Sequence, residues 1–264
     1  MRNHVIILSL TQLHGVRVKI DMLGCLKISL LRLLQPWFLS TPSFQTDVYR
    51  RHTSRRLEHL ASLGLEVAGK SVLELGAGIG EHTGFYLDRG CPVLATDARP
   101  ENVSTLRQRF LNCRVDRIDL DGGGAMLLER FDVVHAYGLL YHVRDPESAI
   151  RFMSSCCDGM LLLETVVHPS SDGPNPVGED ARDPTQAAYG LGCRPGRRWL
   201  FQVLQSHFRH VYVPITQPRH EEFPLDWDAV RPAKHARAIF VCSRSPLLLS
   251  SLSEELVSRH RPQT

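Results

Sequence analysis

From residue 46 onwards, short apolar runs alternate with longer segments in which apolar residues recur every three or four positions. The short runs indicate buried strands, and the longer segments indicate amphipathic helices. Strands are predicted at 71–75, 92–96, 114–118, 131–136, 159–166, 211–214 and 236–243, and helices at 46–63, 81–89, 100–110, 145–156 and 197–208. This alternation predicts an α/β fold built on a doubly wound sheet of seven strands.

The alternation pauses between residues 168 and 195, where Pro, Gly, Asp and Ser are frequent. A loop of this length inside one domain is usually a functional lid or an insertion. We expect the segment from about 168 to 198 to cover a substrate, within a domain that spans 46–264. A second polar stretch at 216–228 joins the last two predicted strands and is a candidate wall of the same pocket.

Residues 1–45 precede this domain as a basic, apolar tail. Residues 1–42 carry a charge of +4 and the rest carries −1, which together give the net charge of +3. The apolar stretch 22–39 is interrupted by Lys27 and Arg32, so we do not expect it to span a membrane. It fits a helix packed on the domain or lying at a membrane surface, a targeting peptide, or an over-extended start with Met22 as the true initiator. Of these we favour the helix.

The composition of the chain excludes several classes of protein. The chain has 264 residues, of which 43% are hydrophobic, enough for one large domain or two small ones. The near-neutral body gives no reason to expect a nucleic acid as partner. Seven cysteines without a C-x-x-C pair argue against a disulfide framework or a zinc cluster, and scattered reduced thiols are typical of a cytoplasmic protein. We expect no metal site.

The most informative stretch is V-L-E-L-G-A-G-I-G-E-H-T at 72–83, where a predicted strand runs into three glycines before a helix. Gly76, Gly78 and Gly80 allow a tight turn and a close approach of the backbone to a ligand. The dinucleotide fingerprint would require a glycine in place of Glu81, and an acid at a helix N-terminus disfavours a pyrophosphate. The loop therefore fits a ligand without phosphates better than it fits NAD.

The segment E-L-G-A-G-I-G resembles motif I of the class I S-adenosylmethionine-dependent methyltransferases. Asp97 and Asp119 follow the second and third predicted strands, where that family places acids on the ribose hydroxyls and near the adenine amino group. F-D-V-V-H-A-Y-G-L-L-Y-H-V-R-D-P at 131–146 is similar to the family's fourth-strand segment. The resemblance covers about 46–166 and implies a Rossmann-like, mostly parallel sheet of seven strands whose last strand is antiparallel.

The resemblance also implies S-adenosylmethionine as the cofactor, bound at Glu74, Gly76, Gly78, Gly80, Asp97, Asp119, Leu120 and Tyr137. Ligands of such sheets lie beyond the carboxyl ends of the strands, where most of these residues fall. Glu74 has two interpretations. It either lies near the amino end of the donor or under the glycine loop, as the family implies, or it is a buried acid paired with a backbone amide or an arginine.

Methyl transfer is an in-line displacement that needs a general base only if the nucleophile must lose a proton. The candidate bases are His142, after the fourth predicted strand, and His168, after the fifth. His142 is alternatively a turn residue packed on Tyr141, and His168 is alternatively a substrate ligand or a surface residue. We expect acceptor binding at Tyr141, Arg194, Trp199 and His220.

The leading hypothesis is a methyltransferase that acts on a small molecule such as a sugar, a polyketide or another secondary metabolite. The second is an RNA-modifying methyl or carboxymethyl transferase, because G-L-L-Y-H-V-R at 138–144 also resembles a segment of tRNA wobble-uridine modifying transferases. A nucleotide-dependent oxidoreductase is disfavoured by Glu81. A catalytically silent binding protein on the same fold is the fourth alternative, and the sequence leaves the oligomeric state open.

Overall fold

A computed structural model describes residues 43–122, 127–231 and 236–263, so residues 1–42 of the tail predicted at 1–45 lie outside the described residues. The helices are α1 Asp47–Ser62, α2 Thr83–Leu87, α3 Pro100–Arg109, α4 Pro146–Ser155 and α5 Arg197–His207. The strands are β1 Val72–Leu75, β2 Val93–Asp97, β3 Arg114–Arg117, β4 Phe131–Tyr137, β5 Cys157–Val167, β6 Pro176–Gly178, β7 Leu191–Cys193, β8 His210–Pro214, β9 Thr216–Gln217, β10 Ala236–Ser243, β11 Leu252–Ser253 and β12 Arg261–Pro262. Every predicted strand and helix has a counterpart.

The main sheet has the strand order β11-β8-β10-β5-β4-β1-β2-β3. Neighbours from β3 to β5 are parallel, whereas β10 is antiparallel to both β5 and β8. This confirms the Rossmann-like sheet with its antiparallel last strand. The strand β11 adds an eighth member at the edge, and at two residues it is too short to produce a hydrophobic period. The winding direction reverses between β1 and β4, which is the usual place for a ligand in such sheets.

Both faces of the central strands are buried, which explains their nearly continuous apolar sequences. Successive side chains of β1 point to opposite faces, so Val72 belongs to one apolar layer and Leu73 to the other. Leu106 of α3 packs in the layer with Val72, and Ile150 of α4 packs in the layer with Leu73. Helices therefore cover both faces of the sheet, and a ligand site is expected at the ends of the strands.

Local signals explain where the helices begin. The Asp145 side chain accepts a hydrogen bond from the Ser148 N–H at 3.0 Å, and Pro146 opens α4 as the sequence predicts. The helix predicted at 81–89 is shorter, because the Gly80 N–H donates to the Ala77 carbonyl oxygen at 2.8 Å and turns the chain before α2. None of the described helices is long and apolar enough to cross a bilayer.

Residues 168–196 connect β5 to α5 and are here named the covering segment. The hairpin of β6 and β7 lies within it. The His168 N–H donates to the Pro195 carbonyl oxygen at 2.9 Å, and the Arg197 N–H donates to the His168 carbonyl oxygen at 3.1 Å. The two ends of the covering segment are therefore joined beside β5.

Gly80→Ala is expected to lower the free energy of unfolding by about 2–4 kcal/mol, because strain at a positive φ adds to overpacking. Gly80 has a φ of 88°, and a Cβ there would lie 2.3 Å from Phe110 Cε2 and 2.9 Å from Leu106 Cδ2. Urea denaturation measures the change.

Gly69→Ala is the matched control. Its φ is 71°, but no described heavy atom lies within 4 Å of the Cβ position. The strained backbone conformation alone should lower the free energy of unfolding by about 1–2 kcal/mol. A loss at Gly80 no larger than the loss at Gly69 would contradict the close packing around Gly80.

Candidate active site

A cleft lies at the carboxyl ends of β1, β2 and β4, where the winding direction of the sheet reverses. It contains about 930 Å³ of space, its open mouth included. Gly76, Asp97 and Tyr137 follow or end these strands and form part of its wall. The covering segment contributes Pro184, Thr185, Gln186, Ala188 and Tyr189. The cleft therefore lies where the sequence places a ligand.

The glycine loop forms the part of the wall that follows β1. Gly76 has a φ of 66°, and a Cβ there would lie 2.9 Å from Leu139 Cδ1. Gly78 has a φ of 58°, and its Cβ would lie 2.9 Å from Phe44 Cε1. Phe44, which the sequence boundary assigns to the tail, is buried on this loop and lines the cleft. Only glycine fits both the backbone conformation and the close packing here.

Asp97 ends β2 with a buried carboxylate. Its Oδ2 accepts a hydrogen bond from the Gly78 N–H at 2.9 Å. Its Oδ1 accepts from the Arg99 N–H at 2.9 Å and from Asn102 Nδ2 at 3.1 Å. Burial raises the pKa of Asp97, and these three donors oppose the increase. Asp97 therefore ties the glycine loop to the start of α3 and still reaches the cleft.

Asp119 and Leu120 line the cleft beyond β3. Asp119 Oδ1 accepts hydrogen bonds from the N–H groups of Asp121 and Gly122, both at 3.0 Å. Its Oδ2 accepts from the Tyr189 hydroxyl of the covering segment. The Tyr189 hydroxyl therefore occupies one acceptor position of this oxygen.

Glu74 lies within β1 and is absent from the described wall of the cleft. Its side chain is buried, and Oε2 accepts a hydrogen bond from Thr83 Oγ1 at 2.6 Å. Burial raises the pKa of Glu74 to about 7, although the Thr83 hydrogen bond opposes the increase. The partner of this acid is thus a hydroxyl, where the sequence suggested an amide or an arginine.

His142 follows β4 in the short 3₁₀ helix Leu140–His142, and it lines the cleft. Its Nδ1 lies 2.5 Å from Oε2 of Glu179, a buried carboxylate of the covering segment. Burial lowers the pKa of His142, and Glu179 opposes the decrease. Within the described residues Nε2 has no hydrogen-bond partner. A neutral ring that donates from Nδ1 therefore keeps its Nε2 lone pair available.

Tyr141 and Arg194 meet beside this pair. Tyr141 lines the cleft, and its ring contacts the His142 ring with centroids 3.9 Å apart. Arg194 lies behind the described wall, where its guanidinium carbon is 5.1 Å from the centre of the Tyr141 ring. Arg194 Nη1 also donates to Glu179 Oε1 at 3.0 Å. Arg194 therefore supports the site through Tyr141 and Glu179.

Besides Glu74 and Arg194, the glycine Gly80 lies outside the described wall of the cleft, and so do three further residues that the sequence assigns to the site. His168 is at the root of the covering segment, where its Nδ1 accepts from the Ser170 N–H at 3.3 Å. Trp199 is a partly buried residue of α5 that packs against the apolar layer. His220 is buried against His52, with ring centroids 4.8 Å apart. We assign none of the three a direct contact with substrate.

Helix α1 contributes residues that the sequence interpretation missed. Tyr49, His52 and Arg56 line the cleft. They are three and four positions apart, so they share one helix face. Polar side chains at this spacing on an inward face are the signal that would have found them.

A buried ion network connects this face to the last strand. Glu164 of β5 is fully buried and accepts from Arg56 Nη1 at 3.1 Å and from Arg237 Nη1 at 2.9 Å. Arg237 also donates to the Tyr141 hydroxyl at 3.2 Å and to Glu222 at 2.6 Å. Because an unpaired charge is costly in the interior, these contacts fix one end of the cleft. In the sequence, the signal for this network was an acid within the apolar run 159–166.

Two sets of side chains bring possible metal ligands within 4.8 Å of one another: His52, His220 and Glu222, and Glu74, His82 and His135. In the second set, His82 Nδ1 and His135 Nε2 hydrogen-bond to each other at 3.0 Å. In the first set, His220 Nδ1 accepts from the Glu222 N–H at 3.3 Å, so the neutral ring carries its proton on Nε2. An internal hydrogen bond thus uses the second set, whereas His52 Nε2 and His220 Nε2 of the first set are buried without a hydrogen-bond partner among the described residues. We assign a metal to neither set.

Comparison with known proteins identifies the family to which this fold belongs. Residues 49–217 match the family described as a methyltransferase domain. The match spans more than half of the chain, and the chain belongs to this family. It confirms the resemblance to class I S-adenosylmethionine-dependent methyltransferases and, with it, S-adenosylmethionine as the cofactor.

Solved structures agree on the fold. The N-terminal domain of EvdMO1 with SAH bound has a TM-score of 0.57 and 23% identity, over 72% of this chain and 80% of that chain. An S-adenosylmethionine-dependent methyltransferase from Mesorhizobium loti has a TM-score of 0.51 and 18% identity, over 72% of this chain and 98% of that chain. At these identities the likeness concerns the architecture.

Two relatives of known function are tRNA U34 carboxymethyltransferases. The protein from Photobacterium profundum is 31% identical over 157 residues, 53% of this chain and 46% of its own length. The protein from Dichelobacter nodosus is 29% identical over 155 residues, 53% of this chain and 47% of its own length. A ubiquinone biosynthesis O-methyltransferase from Stutzerimonas stutzeri is 29% identical over 108 residues, 39% of this chain and 47% of its own length. The matches thus span about half the length of these relatives.

The raised pKa of Glu74 makes the free energy of unfolding depend on pH. The folded chain keeps the Glu74 proton up to about pH 7, whereas the unfolded chain releases it near 4.5. The contribution of this group to stability is therefore complete below pH 4.5 and falls as pH rises to about 7, by about 3 kcal/mol at most.

Urea denaturation of the wild type and of Glu74→Gln at pH 5 and pH 8 measures this effect. The free energy of unfolding of the wild type should fall relative to that of the variant as pH increases. Glu66→Gln, at an exposed acid, is the control and should follow the wild type. Equal pH dependence of the wild type and Glu74→Gln would contradict the prediction.

Proposed function

We propose that the protein is an S-adenosylmethionine-dependent methyltransferase that methylates a small-molecule acceptor, such as a sugar or another secondary metabolite, by in-line transfer. The observation that carries this proposal is one cleft that contains the glycine loop, Asp97 and Asp119 together with His142 and the covering segment. We place the protein in the cytoplasm, which is supported by the free, mostly buried cysteines of the described residues.

The residues at the donor end fit S-adenosylmethionine. A Cβ at Gly76 or Gly78 would meet a neighbouring side chain, so this loop is built for close approach of its backbone. Asp97 offers a carboxylate for the ribose hydroxyls. The Tyr137 hydroxyl is buried at the wall and has no hydrogen-bond partner among the described residues, so it is free for a polar group of the donor. When bound, the cofactor supplies an electrophilic methyl group.

The acceptor end favours a small molecule. The covering segment and α1 both contribute to its wall, and the rings of Phe44, Tyr49 and Tyr141 supply apolar surface. The guanidinium groups of Arg56 and Arg237 are already paired with Glu164. Since these cations are neutralised, they offer little to the phosphate backbone of a nucleic acid.

His142 is the proposed general base for an acceptor that must lose a proton. Its Nδ1 faces Glu179, and its Nε2 has no partner in the described part of the chain. A carboxylate on one imidazole nitrogen fixes the tautomer and stabilises the imidazolium that forms when the other nitrogen takes a proton. We do not propose His168 as a base, because it lies outside the wall of the cleft.

A tRNA-modifying transferase is the second candidate. Two relatives have that name, and the segment at 138–144 resembles a segment of tRNA wobble-uridine modifying transferases. Incubation with labelled S-adenosylmethionine and separate pools of sugars, phenols and unmodified tRNA distinguishes the candidates. Label in tRNA alone would overturn the small-molecule proposal and leave the donor assignment intact.

S-adenosylmethionine at about 100 times its Kd is expected to raise the melting temperature by about 5–10 °C, since binding to the folded state adds about 2.7 kcal/mol. Differential scanning fluorimetry measures the shift. NAD at the same concentration is the control and should produce no shift. A shift with NAD and none with S-adenosylmethionine would overturn the donor assignment.

Asp97→Ala is expected to weaken S-adenosylmethionine binding about 100-fold, because the ribose hydroxyls of the cofactor would lose two charge-assisted hydrogen bonds to this carboxylate. Asp116→Ala removes an exposed acid from β3 outside the described wall and serves as the control, with Kd unchanged. His142→Ala should change Kd much less than Asp97→Ala. Isothermal titration calorimetry compares the three, and equal losses at Asp97 and His142 would contradict the assigned roles.

A further inference from the structure

The covering segment contacts Asp119 of the proposed donor site, the proposed base His142, and Arg99 of the cleft wall. Tyr189 bonds to Asp119, Glu179 bonds to His142, and several carbonyl groups of the segment bond to Arg99. Arg99 follows Asp97 closely in sequence, and its own N–H donates to the Asp97 carboxylate at 2.9 Å. The segment is thus joined to the acid expected at the ribose, to the acid expected at adenine, and to the proposed base.

Arg99 fixes the central part of the segment. Its Nη2 lies 3.0 Å from the carbonyl oxygens of Ala181 and Asp183, 3.1 Å from that of Gln186 and 3.4 Å from that of Ala187. One guanidinium nitrogen therefore orders the turn that precedes the cleft-lining residues 184–189. The same turn positions the Ala187 N–H, which donates to Glu179 Oε2 at 2.7 Å.

Glu179 is enclosed by donors. Its side chain is 2% exposed, and it accepts from His142 at Oε2 and from Arg194 at Oε1. Burial alone would raise the pKa of Glu179, but His142, Ala187 and Arg194 outweigh it and lower that pKa. The carboxylate is therefore ionised near neutral pH, as the partner of an imidazolium must be.

We propose that Glu179 is a positioning residue for His142, so that the base is complete only when the covering segment lies over the donor site. This inference rests on the proposed function. Glu179 accepts the Nδ1 proton and leaves Nε2 as the atom that takes the acceptor proton. In that step the acceptor O–H or N–H bond breaks and the N–H bond at Nε2 forms, and Glu179 stabilises the resulting imidazolium.

Without this carboxylate, a neutral imidazole distributes its proton between both nitrogens, and the imidazolium loses its charged partner. A role limited to packing would not change the tautomer or the titration of His142. These two quantities therefore separate positioning from packing, and neither requires a known acceptor.

The test uses ¹⁵N-histidine NMR on the full chain, with His142 assigned from the signal that His142→Gln removes. In the wild type, the Nδ1-protonated tautomer of His142 should dominate at pH values above the pKa of this ring. In Glu179→Gln, whose neutral amide oxygen accepts more weakly than a carboxylate, this preference should weaken and the titration midpoint should move at least about one pH unit lower. Glu179→Asp, which keeps the charge, should restore part of both properties.

Arg182→Ala is the control variant, because Arg182 lies in the same segment but is 92% exposed and pairs only with Asp180 in the described residues. It should leave the His142 signal unchanged. An unchanged tautomer and midpoint in folded Glu179→Gln would overturn the proposal, as would equal behaviour of Glu179→Gln and Glu179→Asp. S-adenosylhomocysteine binding to the wild type, measured by calorimetry, is a separate readout, and its absence would overturn the proposed function instead.

Discussion

The carboxylate of Asp97 is the interaction on which the site depends. It is 8% exposed, and an ionised acid in such a place requires several donors. The Gly78 N–H, the Arg99 N–H and the Asn102 amide supply them. Because these donors come from the glycine loop and the start of α3, the conformations of two connections and the end of β2 are fixed together. The covering segment then attaches through the Arg99 side chain.

Much of the fold was predictable, because the physics of the sheet is local in sequence. Strands buried on both faces must be apolar, and helices that pack on them must show an apolar face. The donor-side residues were predictable for a related reason. Gly76, Asp97, Asp119 and Tyr137 each follow or end a strand, and the carboxyl ends of parallel strands meet at one edge.

The acceptor side was harder to predict, because it depends on contacts between distant parts of the chain. Nothing near Glu179 in the sequence indicates that it meets His142, 37 positions earlier. His168 follows β5 at the expected edge, but the covering segment leaves the sheet there and turns it away from the cleft. The helix period could not have excluded Trp199, because the buried face of α5 is formed by Leu200, Phe201 and Leu204 and Trp199 is only partly buried.

The covering segment has a further consequence for how such enzymes diversify. An insertion between β5 and α5 that touched only the acceptor could be exchanged between relatives and would transfer specificity with it. This segment also bonds to Asp119 through Tyr189, to His142 through Glu179 and to Arg99 through its carbonyl groups. A segment taken from a relative would have to reproduce all three contacts. A new acceptor preference is therefore expected to evolve by substitutions at 184–189 rather than by exchange of the whole segment.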